Sequence, residues 1–242
     1  MFQGKKLICF DLDGTLIDSV GIWNQVDATL IQQLSNIEVD LNAIQQQRDL
    51  QLKIFRQSPD PYLEYCAYLN ELYGFGLAKA EVKSRRYAIS RHFLDHGVEL
   101  KPQAELLIQA LKQQGIKLAL TTTTSLYNIQ RYQDNNTLIN SKIDFENDFS
   151  LILTRENVQN IKPHPEVYLT ALQHFGFNAD ECLIIEDSLI GVEAAKQASI
   201  EVIAIYDPYS AHELEEIKIQ ANYFVQDYAE LLNSIQGIEK MP

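Results

Sequence analysis

The chain has 242 residues, 46% of them hydrophobic, and sets 20 Lys and Arg against 33 Asp and Glu, a formal charge of −13. That length suits one large or two small domains with a full core, and an acidic balance with no basic stripe excludes nucleic acid as the expected partner. Met1–Lys6 lacks signal-peptide character, no apolar run is long enough for a bilayer, and Cys9, Cys66 and Cys182 have no metal-ligand spacing, so a cytoplasmic protein with buried thiols and no membrane partner is expected.

Lys6-Leu7-Ile8-Cys9-Phe10 is mostly apolar and too short for a helix. It reads as a buried strand of a parallel sheet. The strand ends on Asp11, with Asp13 two residues on and Gly14 turning the backbone away. Two carboxylates at the carboxyl end of a central strand are costly to bury unless a cation or a reaction uses them. The spacing suggests a division of labour. Asp11 is placed to attack an electrophile, and Asp13 to move protons as general acid and base.

From Ser19 to His96 the pattern is helical. Val26, Leu30, Ile31 and Leu34 share one face. Asp60-Pro61 is a helix start, Gly74 a helix end, and a further helix runs from about Lys79 to Phe93. Tyr62, Tyr65, Tyr68 and Tyr73 are read as packing this bundle, with a substrate platform as the other reading. Arg48 is read as a solvated surface residue near a helix start, with reach to a substrate phosphate as the other reading.

After Pro102 the chain alternates helix and strand, which predicts an α/β sheet. Ile116–Leu120 is a strand, followed by four threonines, Thr121 to Thr124. A hydroxyl and free N–H groups where a strand meets a helix make a phosphate cradle. Residues 141–150 are polar and loop-like, and Leu151–Leu153 is a strand. Lys162-Pro163-His164-Pro165 is a rigid turn before a helix, with His164 expected in solvent. Leu183–Ile185 is a buried strand ending on Glu186-Asp187-Ser188, followed by a helix with small residues from Gly191 to Ala198. A strand at Glu201–Ile205, a helix at His212–Ala221, a strand at Tyr223–Val225 and a helix at Tyr228–Ile235 complete the chain.

Four of these segments together resemble a known family. D-x-D-G-T-L at Asp11, the threonine run, K-P-x-P-x-x-Y at Lys162 and I-I-E-D-S-x-x-G-V-x-A-A around Asp187 are similar, in order, to motifs I to IV of the haloacid dehalogenase superfamily, in its helical-cap phosphatase and β-phosphoglucomutase-like branch. The resemblance covers nearly the whole chain. It implies a doubly wound, Rossmann-like α/β core over residues 1–17 and 97–242, with an inserted helical cap over 18–96. Gln103 and Ser199 depart from the pattern, standing where relatives often have Gly.

The resemblance also implies roles. Asp11 would be the nucleophile and Asp13 the acid and base. Thr122, or Thr121 one residue earlier, would bind the transferring phosphoryl group beside the Thr123 N–H. Lys162 would neutralise phosphate charge and orient Asp11. Asp11, the Asp13 carbonyl and Asp187 would hold Mg²⁺, with Glu186 acting behind them or through water. In the mutases a His works at the place of Trp23. Here the indole suggests a substrate-contacting face, with an ordinary core tryptophan as the other reading. The expected activity is Mg²⁺-dependent hydrolysis of a small phosphorylated metabolite through an aspartyl phosphate. A phosphosugar mutase is the alternative, and a catalytically silent binding or regulatory protein the alternative of another class. Asp13 argues against a dehalogenase. Neither substrate nor oligomeric state is legible in the sequence.

Overall fold

The computed structural model describes residues 1–55 and 57–236, and the chain divides into two compact units. One comprises Met1–Asp18 and the chain from Val98 onward; the other is Ser19–Gly97. The first unit begins with β1 (Leu7–Phe10), whose four side chains are all buried, as an unbroken apolar run demands.

The second unit consists of four helices, α1 (Ile22–Ser35), α2 (Leu41–Ile54), α3 (Pro61–Tyr73) and α4 (Lys79–His96). Its core includes Leu30, Ile31, Ile44, Tyr65, Leu69 and Val82. The Asp60 carboxylate caps α3 by accepting from the Leu63 N–H at 3.0 Å, Pro61 takes the first helical position, and Gly74 ends the helix at φ 65°. Lys83 also pairs with Asp60.

One carboxylate ties the four helices together. Asp27 of α1 accepts from Arg86 Nε of α4 at 2.6 Å, Arg48 Nη1 of α2 at 3.2 Å and Tyr65 OH of α3 at 3.1 Å. The expectation for Arg48 is therefore corrected. It lies inside α2, buried at 7% exposure, because Asp27 supplies the charge that makes burial affordable. Among the tyrosines Tyr65 is buried, whereas Tyr62 is 42% exposed and lays its ring near Arg86.

The first unit continues with α5 (Ala104–Gln113), β2 (Lys117–Thr121), α6 (Leu126–Asn135), the short α7 (Thr137–Asn140) and α8 (Phe145–Asp148), and β3 (Leu151–Leu153). Two four-residue helices thus border or occupy the stretch read as loop; side chains of Asn136 and Asp144 cap their first amides. Then follow α9 (Glu166–Phe175), β4 (Cys182–Glu186), α10 (Leu189–Gln197), β5 (Glu201–Ile205), α11 (Leu214–Gln220), β6 (Tyr223–Val225) and α12 (Tyr228–Gln236). The segment expected to be one helix from His212 is split. Pro208–Glu213 is a 3-10 turn capped by Asp207, and α11 starts at Leu214.

The six strands form one parallel sheet in the order β3-β2-β1-β4-β5-β6. This is a doubly wound α/β fold in which strand order reverses beside β1, and such sheets open a crevice at the carboxyl ends of the strands there. The chain leaves this unit after Asp18 and returns at Val98. Leaving and returning segments pair, with Asp18 N–H on Glu99 O at 2.9 Å and Lys101 N–H on Leu16 O at 2.8 Å. Gln103 and Ser199 both sit at positive φ, 68° and 57°, which explains why glycine suits these positions.

Candidate active site

Asp11 directly follows β1, and its N–H bonds to Ile185 O of β4 at 3.0 Å. The register, Phe10 opposite Ile185, brings Asp11 level with Glu186 at the end of β4. Gly14 turns the chain at φ 82°, and a Cβ there would run into the Asp187 carboxylate. Both conditions call for glycine. Asp13 is half-buried and close enough for its charge to bear on Asp11.

Lys162 is buried outside any helix or strand, as the proline-flanked turn suggests. Its Nζ donates to Asp11 Oδ1 and Glu186 Oε1, each at 2.6 Å, and to Thr121 O at 2.9 Å. The ammonium therefore has all three protons engaged. Glu186 is saturated as well. Its Oε1 also accepts from Tyr168 OH at 3.3 Å, and its Oε2 accepts from the Asp187 N–H, the Ser188 N–H and the Ser188 hydroxyl. Asp187 takes the Thr15 hydroxyl on Oδ1 at 2.8 Å and the Ser210 hydroxyl on Oδ2 at 3.2 Å. Tyr228 OH in turn holds the Thr15 carbonyl at 3.0 Å.

The electrostatics are unbalanced. Asp11, Glu186 and Asp187 are all buried and can each turn one oxygen to within 4.8 Å of the others. Lys162 is the ammonium paired with this group. Burial pushes the Asp11 carboxyl up to about 8, with Lys162 opposing and Glu186 and Asp13 adding to the rise. Burial, then Glu186 and Asp11, hold Asp187 well above the usual carboxylate range. Burial works against the Lys162 ammonium, but Asp11 and Glu186 outweigh it and keep it charged. A buried set of oxygen donors with too little positive charge fits a hard divalent cation such as Mg²⁺.

The threonines divide. Thr121 spends its hydroxyl on Phe10 O and its carbonyl on Lys162. Thr122 is buried, its N–H bonds Leu153 O at 2.9 Å, and its Oγ1 accepts from the Thr124 N–H at 3.0 Å. That leaves the Thr122 hydroxyl proton to give, which Thr121 lacks. Thr123 follows, half-buried, between β2 and α6. Trp23 belongs to the helical unit, half-buried, with the Arg86 guanidinium 4.8 Å above its ring. His164 is exposed.

Sequence reasoning passed over Thr15, Tyr168, Ser210 and Tyr228. Thr15 and Tyr168 lie inside the quoted motifs, so a signal for them existed. Ser210 and Tyr228 carried none.

Fold and site together place three buried carboxylates and a buried lysine at the switch point of a parallel α/β sheet. The chain belongs to the haloacid dehalogenase-like hydrolases, whose family model matches residues 8–205. No helix among the described residues is long and apolar enough to cross a membrane. Hexitol phosphatase B of Escherichia coli strain K12 is 24% identical over 217 residues, 88% of this chain and 90% of that protein. The bifunctional riboflavin kinase/FMN phosphatase of Arabidopsis thaliana is 30% identical over 83% of this chain, which spans only 49% of that enzyme. The crystal structure of CbbY from Rhodobacter sphaeroides, in complex with phosphate, superposes with a TM-score of 0.69 at 23% identity, covering 94% of this chain and 96% of that one.

Proposed function

We propose that this chain is a Mg²⁺-dependent phosphatase of small phosphate monoesters, sugar or polyol phosphates first among them. The observation that carries the reading is the state of Asp11. Lys162 holds its Oδ1 at 2.6 Å, while its Oδ2 has no protein donor among the described residues. One oxygen is anchored and the other is available as a nucleophile.

Asp11 attacks phosphorus in line. The aspartyl-phosphate bond forms as the ester P–O bond breaks, and Asp13 gives its proton to the leaving oxygen. Asp13 then takes a proton from water, whose oxygen attacks phosphorus and releases Asp11 and inorganic phosphate. Lys162, its three protons already placed, stabilises the phosphoryl oxygens through its charge, and the Thr122 hydroxyl and the Thr123 N–H do so as donors. Asp11, the Asp13 carbonyl and Asp187 would hold Mg²⁺; Glu186, saturated by protein donors, acts behind them by fixing Lys162. The cation would supply charge neutralisation between the carboxylates and the anionic phosphoryl group. With a formal charge of −13, the protein has no long-range attraction for such a substrate, so capture falls to these local groups. We assign substrate choice to the inserted helical unit acting as a cap, with Trp23 offering a flat apolar face. The name of hexitol phosphatase B points the substrate class toward polyol phosphates.

The test is a panel of phosphorylated metabolites assayed for phosphate release, with Asp11→Asn as control. Turnover should fall by about a thousandfold or more in Asp11→Asn, at an unchanged circular dichroism spectrum. Following isomeric hexose phosphates in the same reactions separates phosphatase from mutase: isomerisation outrunning phosphate release would overturn water as the acceptor. No release from any ester, including an aryl phosphate, would overturn the enzyme.

A further inference from the structure

Asp187 is gripped by hydroxyls on both of its oxygens, and one grip comes from far along the chain. The Ser210 hydroxyl reaches Oδ2 at 3.2 Å from the 3-10 turn Pro208–Glu213, which follows β5. The turn is itself held. Its capping residue Asp207 accepts the Tyr209 N–H on Oδ1 at 2.9 Å, and the Ser210 N–H donates to the Asp207 carbonyl at 3.2 Å. Lys101 Nζ fixes Asp207 Oδ2 at 2.7 Å and the Tyr206 carbonyl at 3.3 Å. The main chain of Lys101 is pinned to the other crossing segment through Leu16 O at 2.8 Å. A continuous set of bonds thus runs from the segment that re-enters this unit to the Asp187 carboxylate.

From this we infer that Ser210 is a positioning residue for the cation site, setting the orientation of Asp187 and thereby the affinity for the divalent cation. The inference rests on the proposed role of Asp187 as a metal ligand. Partners that orient a metal ligand commonly change affinity tenfold to a hundredfold when removed. Ser210 suits this role for a physical reason. A hydroxyl donor fixes the carboxylate by direction without neutralising its charge, so the oxygen keeps a lone pair for the cation. Thr15 does the same on Oδ1, backed by Tyr228. With both oxygens directed, the carboxylate cannot rotate about its terminal torsion without losing two bonds at once.

The experiment titrates the full-length protein with Mg²⁺, by calorimetry and by thermal shift, as wild type, Ser210→Ala and Ser210→Thr. Ser210→Ala should bind Mg²⁺ about tenfold more weakly. Ser210→Thr, which keeps the hydroxyl, should recover most of the affinity. In EDTA all three should melt together. Equal Mg²⁺ affinity in Ser210→Ala and wild type would overturn the inference. So would a lower melting temperature of Ser210→Ala in EDTA at unchanged affinity, which marks a structural hydroxyl. Absence of Mg²⁺ binding by the wild type would overturn the metal reading itself, and this inference with it; the two failures are thereby distinct.

Discussion

Gly191 stands against the carboxyl group of Glu186. A Cβ on Gly191, in the first turn of α10, would collide with Glu186 Cδ and both carboxylate oxygens. Those oxygens cannot move aside, since Lys162, Tyr168, the Asp187 and Ser188 amides and the Ser188 hydroxyl hold them. The helix backbone is placed so that Glu186 lies beneath its first turn and aims Lys162 at Asp11.

Gly191→Ala is accordingly expected to reverse the usual helix effect. In an ordinary helix Ala is favoured over Gly by about 1 kcal/mol. Here overpacking against a fixed carboxylate should cost about 1 to 3 kcal/mol and displace Lys162. Urea unfolding and phosphate release measured on one preparation check both. A variant more stable than wild type would show that Glu186 has slack.

The metal-free protein should lose stability as pH rises. The Asp11 carboxyl is pushed up to about 8 in the fold, against about 3.9 when unfolded. A raised carboxyl binds its proton more tightly in the folded state. Its contribution is therefore full below the unfolded value and is lost as pH climbs toward about 8. Asp187, also raised, acts in the same direction. The carboxyls held low, such as Glu156 and Glu181, are already ionised in this window and do not oppose the trend. Melting in EDTA should be higher near pH ~5 than near pH ~8, and the shift produced by Mg²⁺ should be larger at the higher value, where proton competition is weaker. A melting temperature in EDTA that climbs over this range would refute the crowding of charge at the site.

Asp27→Asn should destabilise the helical unit by about 3 to 5 kcal/mol, the usual loss when one partner of a buried ion pair is removed. Arg86 and Arg48 would be left with side chains only 1% and 8% exposed and without the Asp27 charge. Trp23 is the only tryptophan and stacks on Arg86, so its fluorescence reports unfolding of this unit. An unfolding midpoint within error of wild type would mean that the four helices are held by their apolar core alone.

Ser199→Gly and Gln103→Gly should each stabilise the protein by roughly 0.5 to 1 kcal/mol. Both residues occupy the left-handed region, at φ 57° and 68°. Relief of the Cβ penalty there exceeds the entropy glycine adds to the unfolded chain. Thermal melts of the two single variants decide the matter, and a lower melting temperature in both would count against strain at these turns.

The sequence by itself determined the parallel α/β core and the helical character of the insert, and it singled out Asp11, Lys162, Glu186 and Asp187 as candidates, which the fold brings together. Asp11 owes its legibility to local chemistry, an apolar run ended by carboxylates; Lys162, Glu186 and Asp187 stand in short motifs, a lysine before a proline turn and an acidic strand end, that resemble those of a known family. Signals of that kind lie within a few residues of one another, where the backbone itself sets the geometry. Tertiary structure alone decided that Arg48 is buried, because its partner Asp27 lies 21 residues away and is shared with Arg86, 59 residues on. It alone decided that Ser210 grips Asp187 across 23 residues and that Tyr228 holds Thr15 across 213. Such bonds depend on which strand ends the sheet order makes neighbours, and no periodicity along the chain records that order.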